Sequence, residues 1–326
     1  MLLVTGGAGF IGSNVVASLN EAGRTDVVVN DVLGTDGKWR NLQKRQLADF
    51  VPPDDLFDWL KGRKLDAVIH LGAISETTAT DGDLVINTNF RRSLELLDWC
   101  TSNRTPFIYA SSAATYGDGD QGFSDDWSPS ALRQLQPMNL YGWSKHLFDL
   151  AVVDRLSKRE KLPPQWAGLK FFNVFGPNEY HKQAQMSVLA KVFADAKNGV
   201  PVRLFKSHRS GIADGEQKRD FIYVDDVVSV MLWLLENPAV SGIFNVGTGN
   251  ARSFRDMIVA MFKSIGREPN IEYVDMPDSI RNSYQYFTQA SVENLRRAGY
   301  NAGFTPLELG VERYVKSFLD THDRYR

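Results

Sequence analysis

Cysteine is almost absent from this chain of 326 residues, with Cys100 standing alone. One thiol cannot close an intrachain disulfide, so no disulfide framework is possible and a reducing compartment is expected. The five histidines (70, 146, 181, 208 and 322) are scattered and give no readable metal site. No apolar run approaches the ~20 residues needed to span a bilayer. A strand that starts at residue 2 leaves no room for a signal or transit peptide, so a soluble cytoplasmic protein without membrane association is expected. Neither sign of charge dominates: 37 Lys and Arg face 39 Asp and Glu, for a net −2. That balance argues against a nucleic-acid tract or a polybasic membrane face. Repeats and low-complexity segments are also missing.

A hydrophobic content of 43% supports a substantial core, and the length fits one large or two modest domains. The most informative stretch lies at the start. Leu2-Leu3-Val4 reads as a strand, and Phe10 to Leu19 repeats apolar residues at helical spacing. Between them, glycines fall as Gly7-x-Gly9-x-x-Gly12 and also as Gly6-x-x-Gly9-x-x-Gly12. Both patterns serve a tight turn, close backbone approach to a pyrophosphate and a helix packed near the strand. A second strand, Asp26 to Asn30, ends at Asp31, about 20 residues past the last glycine, where a carboxylate meets adenosine ribose hydroxyls.

Further along, Leu65 to Leu71 is a nearly continuous apolar run, as in a parallel strand covered on both faces. A helix with Leu94, Leu96, Leu97 and Trp99 follows, then a strand over Pro106 to Ala110. Asp49 to Leu60 reads as a Pro-Pro pair with a short helix, and Asp118 to Pro137 as a long loop. A helix from about Leu140 to Ser157 and a strand, Gly168 to Phe172, come next. This alternation predicts an α/β fold, a Rossmann-type doubly wound parallel sheet. Beyond Asn173 loops lengthen and strands shorten, which predicts a smaller α/β substrate-binding lobe. The expected division is 1–172 plus about 217–247 for the dinucleotide-binding domain, and 173–216 plus about 248–326 for the lobe. Within the lobe, His208 to Gln217 reads as a mobile surface loop or lid, and the tail from Ser253 as two amphipathic helices around Ile271 to Val274.

Tyr141-x-x-x-Lys145 is the second constellation. Positions i and i+4 share a helix face, so phenol and ammonium converge. A phenol with a pKa near 10 is a poor base at neutral pH. A neighbouring lysine charge stabilises the phenolate and brings it toward the working range. Ser112, at the end of the Phe107 strand, is placed to hydrogen-bond a substrate oxygen. The spacing alone arises often by chance; its position downstream of the glycine loop and a Ser-Ser strand end gives it weight.

Thr5 to Gly12, Asp31, Ser111-Ser112-Ala113, Tyr116-Gly117 and Tyr141-x-x-x-Lys145 resemble the extended short-chain dehydrogenase/reductase superfamily, which holds nucleotide-sugar epimerases and dehydratases. Tyr109 to Gly117, Phe172 to Lys182, Lys218 to Val224 and Tyr284 to Gln289 resemble, more narrowly, its family of ADP-heptose 6-epimerases, over nearly the full length. That resemblance implies NADP, with NAD possible, and a nucleotide-sugar substrate. It implies transient oxidation of C6″ to a ketone, return of the hydride to the opposite face, and a role in supplying heptose to the lipopolysaccharide core. It implies a closed homo-oligomer, a homopentamer.

By the same resemblance, Tyr141 serves one face of the carbon and Lys182 the other, with Ser112 polarising the oxygen and Lys145 beside the cofactor. Gly6, Gly9, Phe10, Ile11 and Gly12 meet the pyrophosphate; Asp31, Val32 and Lys38 the adenosine ribose and its 2′-phosphate. Leu71, Gly72, Ala73, Ile74, Ser75 and Asn89 line the nicotinamide side, and Val174 touches the cofactor. Asn173, Ala184, Lys191, Phe205, Lys206, Ser207, His208, Arg219 and Tyr284 wrap the substrate. The chain departs from the family at Pro53, where a second cofactor lysine stands, at Ala184 and Lys191 (serine and histidine), and at Lys206-Ser207-His208 (Glu-Gly-Ser). Asp31 favours NAD, whereas Lys38 and Arg40 reopen NADP. Ala113-Ala114 replaces the Asp-Glu pair that a dehydratase carries. A UDP-sugar 4-epimerase and a non-catalytic NADP-binding sensor are the competing readings.

Overall fold

Val27-Val28-Val29 and Ala67-Val68-Ile69 carry apolar side chains without interruption, and a strand of that kind must be covered on both faces. The computed structural model of the chain describes residues 1–281 and 284–326, and it shows that cover. Seven parallel strands form the central sheet: β1 (Leu2–Thr5), β2 (Val27–Asn30), β3 (Asp49–Val51), β4 (Ala67–His70), β5 (Phe107–Ser112), β6 (Trp166–Phe171) and β7 (Gly242–Val246). Their order is β7-β6-β5-β4-β1-β2-β3. Leu2 pairs with Val27 on one side and Ala67 on the other, so β1 is the point from which the order runs both ways. Ligands of open α/β sheets bind at the carboxyl ends of the strands that flank such a switch.

Alternate side chains of the strands feed two different cores. Leu2, Val4, Val27, Val29 and Ile69 pack with Val15, Val16 and Leu19 of α1 (Phe10–Glu21), and with Val227, Val230, Met231 and Leu234 of the helix Val224–Glu236. Leu3, Val28, Val68, Phe107 and Tyr109 face the opposite way. They meet Leu96, Leu97 and Cys100 of α2 (Arg92–Asn103), and Phe148, Val152 and Val153 of α3 (Leu140–Ser157). Cys100 is a buried apolar filler there, its thiol pushed well above the ordinary range by burial.

A third core lies beyond the carboxyl edge. Leu189, Phe193 and Ala196 of α4 (Val188–Lys197) pack with Val202, Leu204, Phe221 and Tyr223. With them pack Met257, Ile258 and Met261 of the helix Phe254–Ser264, and Leu307, Val311 and Tyr314 of the helix Leu307–Tyr314. Three short strand pairs stiffen this part: Asn173–Phe175 with Phe221–Tyr223, Lys218–Arg219 with Arg252–Ser253, and Val202–Phe205 with Ile271–Val274. Phe10 of the glycine loop inserts into the same core, and Leu295 and Tyr300 return to the core of the sheet. Among the described residues no helix is long and apolar enough to cross a membrane.

Local differences from the pattern have physical causes. Asp49–Val51 is a strand although only Val51 is buried; pairing with Val28 to Asn30 at the sheet edge defines it. Inside Asp118–Pro137, Ser128 caps a turn of helix, Pro129–Leu132, with proline at its first position. The ends of the His208–Gln217 loop are joined to the strand before it, Ser207 N–H donating to Asp214 at 2.7 Å and Gly215 N–H to the Phe205 carbonyl at 3.2 Å.

Asp220 joins three segments at the edge of the sheet. Fully buried, it accepts from Thr248 N–H (2.7 Å), Thr248 Oγ1 (2.6 Å), Gly249 N–H (2.9 Å) and Ala290 N–H (2.9 Å). Asp220→Ala strands these donors, each at about 1–3 kcal/mol, so a loss of about 3 kcal/mol or more is expected in urea unfolding. A loss below about 1 kcal/mol refutes this role.

Candidate active site

The turn after β1 exists because two backbones touch there. Gly6 sits at φ 65, and a Cβ on it would lie 2.6 Å from the Gly72 nitrogen in the loop after β4. A Cβ on Gly12 would lie 2.2 Å from the Gly6 carbonyl oxygen. Helix α1 starts at Gly9 without a side-chain cap or an acidic residue in its first turn. Its free N–H groups and dipole are thus open to an anion.

Asp31 ends β2 at the rim of this turn, accepting Ala8 N–H at 2.9 Å and Val32 N–H at 2.7 Å. Lys38 Nζ lies 2.7 Å from the same carboxylate and 2.9 Å from the Val32 carbonyl. Val32 itself points to solvent. Pro53 gives its carbonyl to Arg92 at 2.9 Å.

On the other side of β1, a chain of polar groups fixes the loop after β4. Gly72 N–H donates to Thr5 Oγ1 (3.1 Å), and because Ser93 spends its proton on the Asn89 carbonyl, His70 carries its own on Nε2 and its Nδ1 accepts from the Thr5 hydroxyl (2.6 Å). His70 Nε2 then donates to Ser93 (2.8 Å), which donates to the Asn89 carbonyl (2.7 Å). Burial holds His70 neutral, its pKa pushed down to about 3. Asn89, in a π-helical turn over Asn87–Arg91, bonds Ile74 N–H and C=O (2.8 and 2.9 Å) and Ser144 (3.0 Å). Ser144 in turn donates to the Tyr141 carbonyl at 2.7 Å. Asn89 and Ile74 lie behind the cavity wall, where they hold the loop and the first turn of α3.

Asn139 caps α3, accepting Gly142 N–H at 2.8 Å, and so fixes where Tyr141 begins. Burial raises the Tyr141 phenol, a hydrogen bond with Ser112 opposes this, and the charge of Asp149 adds to it. Burial pushes Lys145 down to about 8, with Asp149 opposing. Asp149 is fully buried and accepts from Tyr109 (3.1 Å) and Ser111 (2.7 Å), with Lys170 Nζ at 3.7 Å. Lys170 also donates to Thr115 at 2.9 Å, bracing the turn that follows Ser112.

Lys182 comes from a 3-10 segment, Tyr180–Gln185, whose Gln183 holds φ 46 and ψ −110. Its ammonium stands 5.9 Å from the centre of the Phe10 ring. Burial lowers its pKa and Glu179 opposes the shift. Glu179 is buried and binds the Ser187 hydroxyl (2.7 Å) and N–H at the start of α4.

These parts line three adjoining cavities. The first, ≈ 520 Å³, is lined by Gly6, Gly9, Phe10, Ile11, Gly12, Asp31, Lys38, Leu71, Gly72, Ala73, Ser75, Ser112, Tyr141, Lys145, Asn173, Val174, Lys182 and Ala184. A second of ≈ 560 Å³ shares Ser112, Tyr141 and Asn173 and adds Arg219 and Tyr284. A third of ≈ 430 Å³ shares Asn173 and Val174 and adds Lys191 and Phe205. Asn173 lines all three. Arg219 is buried between the Phe254 and Tyr284 rings, 5.6 and 5.2 Å from their centres. Among the described residues no carboxylate lies within ion-pair distance of it. Lys206, Ser207 and His208 line none of the three; Lys206 pairs with Asp275 (3.5 Å), and His208 N–H donates to Tyr286 (3.0 Å). The sequence motifs passed over Thr77, His181 and Gln185 in the first cavity, and Gln285 and Thr288 in the second. Of these, His181 carried a signal as the neighbour of Lys182, and Gln285 and Thr288 as members of the Tyr284–Gln289 stretch.

Residues 2–247 match the family model described as NAD dependent epimerase/dehydratase. A Nitratidesulfovibrio vulgaris protein named ADP-L-glycero-D-manno-heptose-6-epimerase is 49% identical over 329 residues, 100% of both chains. One of the same name from Fusobacterium nucleatum is 44% identical, again over 100% of both. Among solved structures, the Helicobacter pylori ADP-L-glycero-D-manno-heptose-6-epimerase superposes with a TM-score of 0.80 at 29% identity, covering 97% of this chain and 95% of that one. The Thermus thermophilus UDP-glucose 4-epimerase complex with NAD gives 0.73 at 26%, covering 96% and 97%.

Lys145 leads to a pH-dependent prediction. Its folded value of about 8 lies below its unfolded one. Between about 8 and about 10.4 the unfolded chain therefore binds more protons, and stability from this group rises with pH. Urea unfolding at pH 7 and pH 9.5 is expected to show the wild type gaining on Lys145→Met at the higher pH. A constant difference between the two proteins refutes the shift.

Proposed function

The chain belongs to the NAD dependent epimerase/dehydratase family, and on that premise we propose that it is an ADP-heptose 6-epimerase. It inverts C6″ of ADP-D-glycero-D-manno-heptose, with NADP as its bound cofactor. The observation that carries this reading is a second lysine, Lys182, on the same cavity as Tyr141, Lys145 and Ser112. Inversion at a carbon bearing a hydroxyl removes the hydroxyl proton and later returns it, and a second acid/base beside the Tyr-Lys pair serves the oxygen in the reoriented sugar. The full-length identity to proteins named as heptose 6-epimerases supports the same substrate.

The residues fit a dinucleotide: an uncapped helix start, a glycine turn that leaves no room for a Cβ, and an acid at the end of β2. Bound in this cleft, a nicotinamide would supply the acceptor for the C6″ hydride and the donor for its return to the opposite face. Ser112 and Tyr141 hold the C6″ oxygen, Tyr141 moving its proton under the charge of Lys145. Lys182, its ammonium weakened by burial, exchanges the proton for the other face. Arg219 clamps the diphosphate with a bidentate guanidinium, and Asn173 holds the sugar where the cavities meet. Ala184, Lys191, Phe205 and Tyr284 enclose the ADP part, with Lys206, Ser207 and His208 at its outer edge.

NADP is preferred to NAD because Lys38 already neutralises Asp31, and exposed Arg40 adds a second cation at that rim. The NAD reading draws on the Asp31 carboxylate, which repels a 2′-phosphate, and on Pro53. Lys38→Ala is expected to weaken NADP about tenfold, a charge-assisted contact being worth about 1.5–3 kcal/mol, and to leave NAD almost unchanged. Equal losses for both refute the assignment.

Incubation with ADP-D-glycero-D-manno-heptose and separation of the C6 epimers tests the function, with UDP-galactose as the arm for a 4-epimerase. Turnover of the UDP-sugar alone moves the reading to that class; NADP binding with no turnover makes the protein a sensor. In heavy water the product is expected to carry no deuterium on carbon, because the hydride removed is the hydride returned. Lys182→Met and Tyr141→Phe are each expected to lower turnover about 10²–10⁴-fold. Near-normal turnover in Lys182→Met refutes the second acid/base.

A further inference from the structure

His181 lines the first cavity beside Gly9, Phe10, Lys38 and Lys182. Its Nδ1 lies 3.3 Å from Asn41 Nδ2. That amide nitrogen also donates to the carbonyls of Ala8 (2.9 Å) and Asn178 (3.1 Å), which can only accept. The amide is therefore the right way round; its two N–H groups serve these carbonyls, and it reaches Nδ1 by sharing one of them, an arrangement in which Nδ1 accepts. With Nδ1 accepting that shared bond, the neutral ring carries its proton on Nε2, the nitrogen that Asn41 leaves for a ligand. Asn41 is itself buried, so the ring is held by a fixed wall.

We propose that His181 reads phosphate: its Nε2–H donates to a phosphate oxygen of the bound dinucleotide. The proposal rests on the dinucleotide reading above. The phosphate is either the pyrophosphate, over the start of α1, or the 2′-phosphate, toward Lys38.

The ring's charge state follows from what faces it. Burial pushes it down to about 4, and Lys38 and Lys182 add to that; Asp36 and the Asn178 carbonyl oppose it. A phosphate beside Nε2 brings negative charge and raises the value in the complex. The bound form then takes up a proton that the free form does not, and affinity rises as pH falls from the bound value toward about 4.

The test is titration of NADP and NAD into wild type, His181→Leu and His181→Gln at pH 7.5 and 5.5, with thermal midpoints as a check of folding. His181→Leu is expected to bind about tenfold more weakly at pH 7.5, the loss of one hydrogen bond to a charged group. A loss for both dinucleotides assigns the pyrophosphate, and a loss for NADP alone the 2′-phosphate; either supports the proposal. His181→Gln keeps an N–H but cannot charge. It is expected to bind nearly as well as wild type at pH 7.5 and to lack part of the wild-type gain at pH 5.5. The 2′-phosphate titrates in the same range, near pH 6, so the comparison is with wild type on the same ligand. Unchanged binding of both ligands by His181→Leu overturns the proposal, as does an equal acid gain in wild type and His181→Gln. If His181→Leu does not fold, the Gln comparison decides alone. If wild type binds neither dinucleotide, the reading it rests on falls, an outcome the variants cannot mimic.

Discussion

Gly6 and Gly12 let three backbones meet in a space that admits no side chain at either position, and the rest of the site depends on that contact. It brings the end of β1, the first turn of α1 and the loop after β4 to one place at the switch in strand order. The contact opens a cleft whose floor is N–H groups, and it sets the angle at which Phe10 enters the third core. That single ring ties the cofactor turn to the part of the chain that carries Lys182 and Lys191.

Charge is sorted by depth around the cleft. Lys145, Lys182 and Arg219 reach the cavities, each lowered by burial. The carboxylates Asp149, Glu179 and Asp220 sit behind them, satisfied by hydroxyls and backbone N–H groups. Asp149 and Glu179 thus stabilise their segments without a close ion pair to Lys145 or Lys182, while Arg219 gives N–H groups to the Lys218 and Gln285 carbonyls and keeps its charge unneutralised, which suits a polyanionic ligand. A net charge of −2 conceals this arrangement.

The glycine turn, Asp31 and the Tyr141-Lys145 pair were legible because spacing within a strand-turn-helix is itself the geometry. Lys182 was legible only through resemblance, since a loop lysine has no periodicity to mark it. Asn89 has a part that resemblance did not give, bracing Ile74 and Ser144 from behind the wall. Lys206 to His208 likewise line none of the cavities, in the stretch where the chain departs from the family. Gln285 and Thr288 lie in the Tyr284–Gln289 stretch that carries the resemblance, but nothing there gave them a role. They reach the second cavity from a segment far along the chain, and only the tertiary course that Asp220 fixes brings them there. Asp49–Val51 escaped notice as a strand because its neighbour defines it.

Gln183 sits in left-handed backbone between two cavity-lining residues, Lys182 and Ala184. A side chain there costs of order 1–3 kcal/mol, which the anchor of Glu179 on Ser187 must hold in place. The joint acts as a loaded spring in the wall. Relaxing it would make the protein harder to melt and would let the ammonium of Lys182 drift from its ring contact. In this segment, durability and aim are set against each other by one residue's torsion angle.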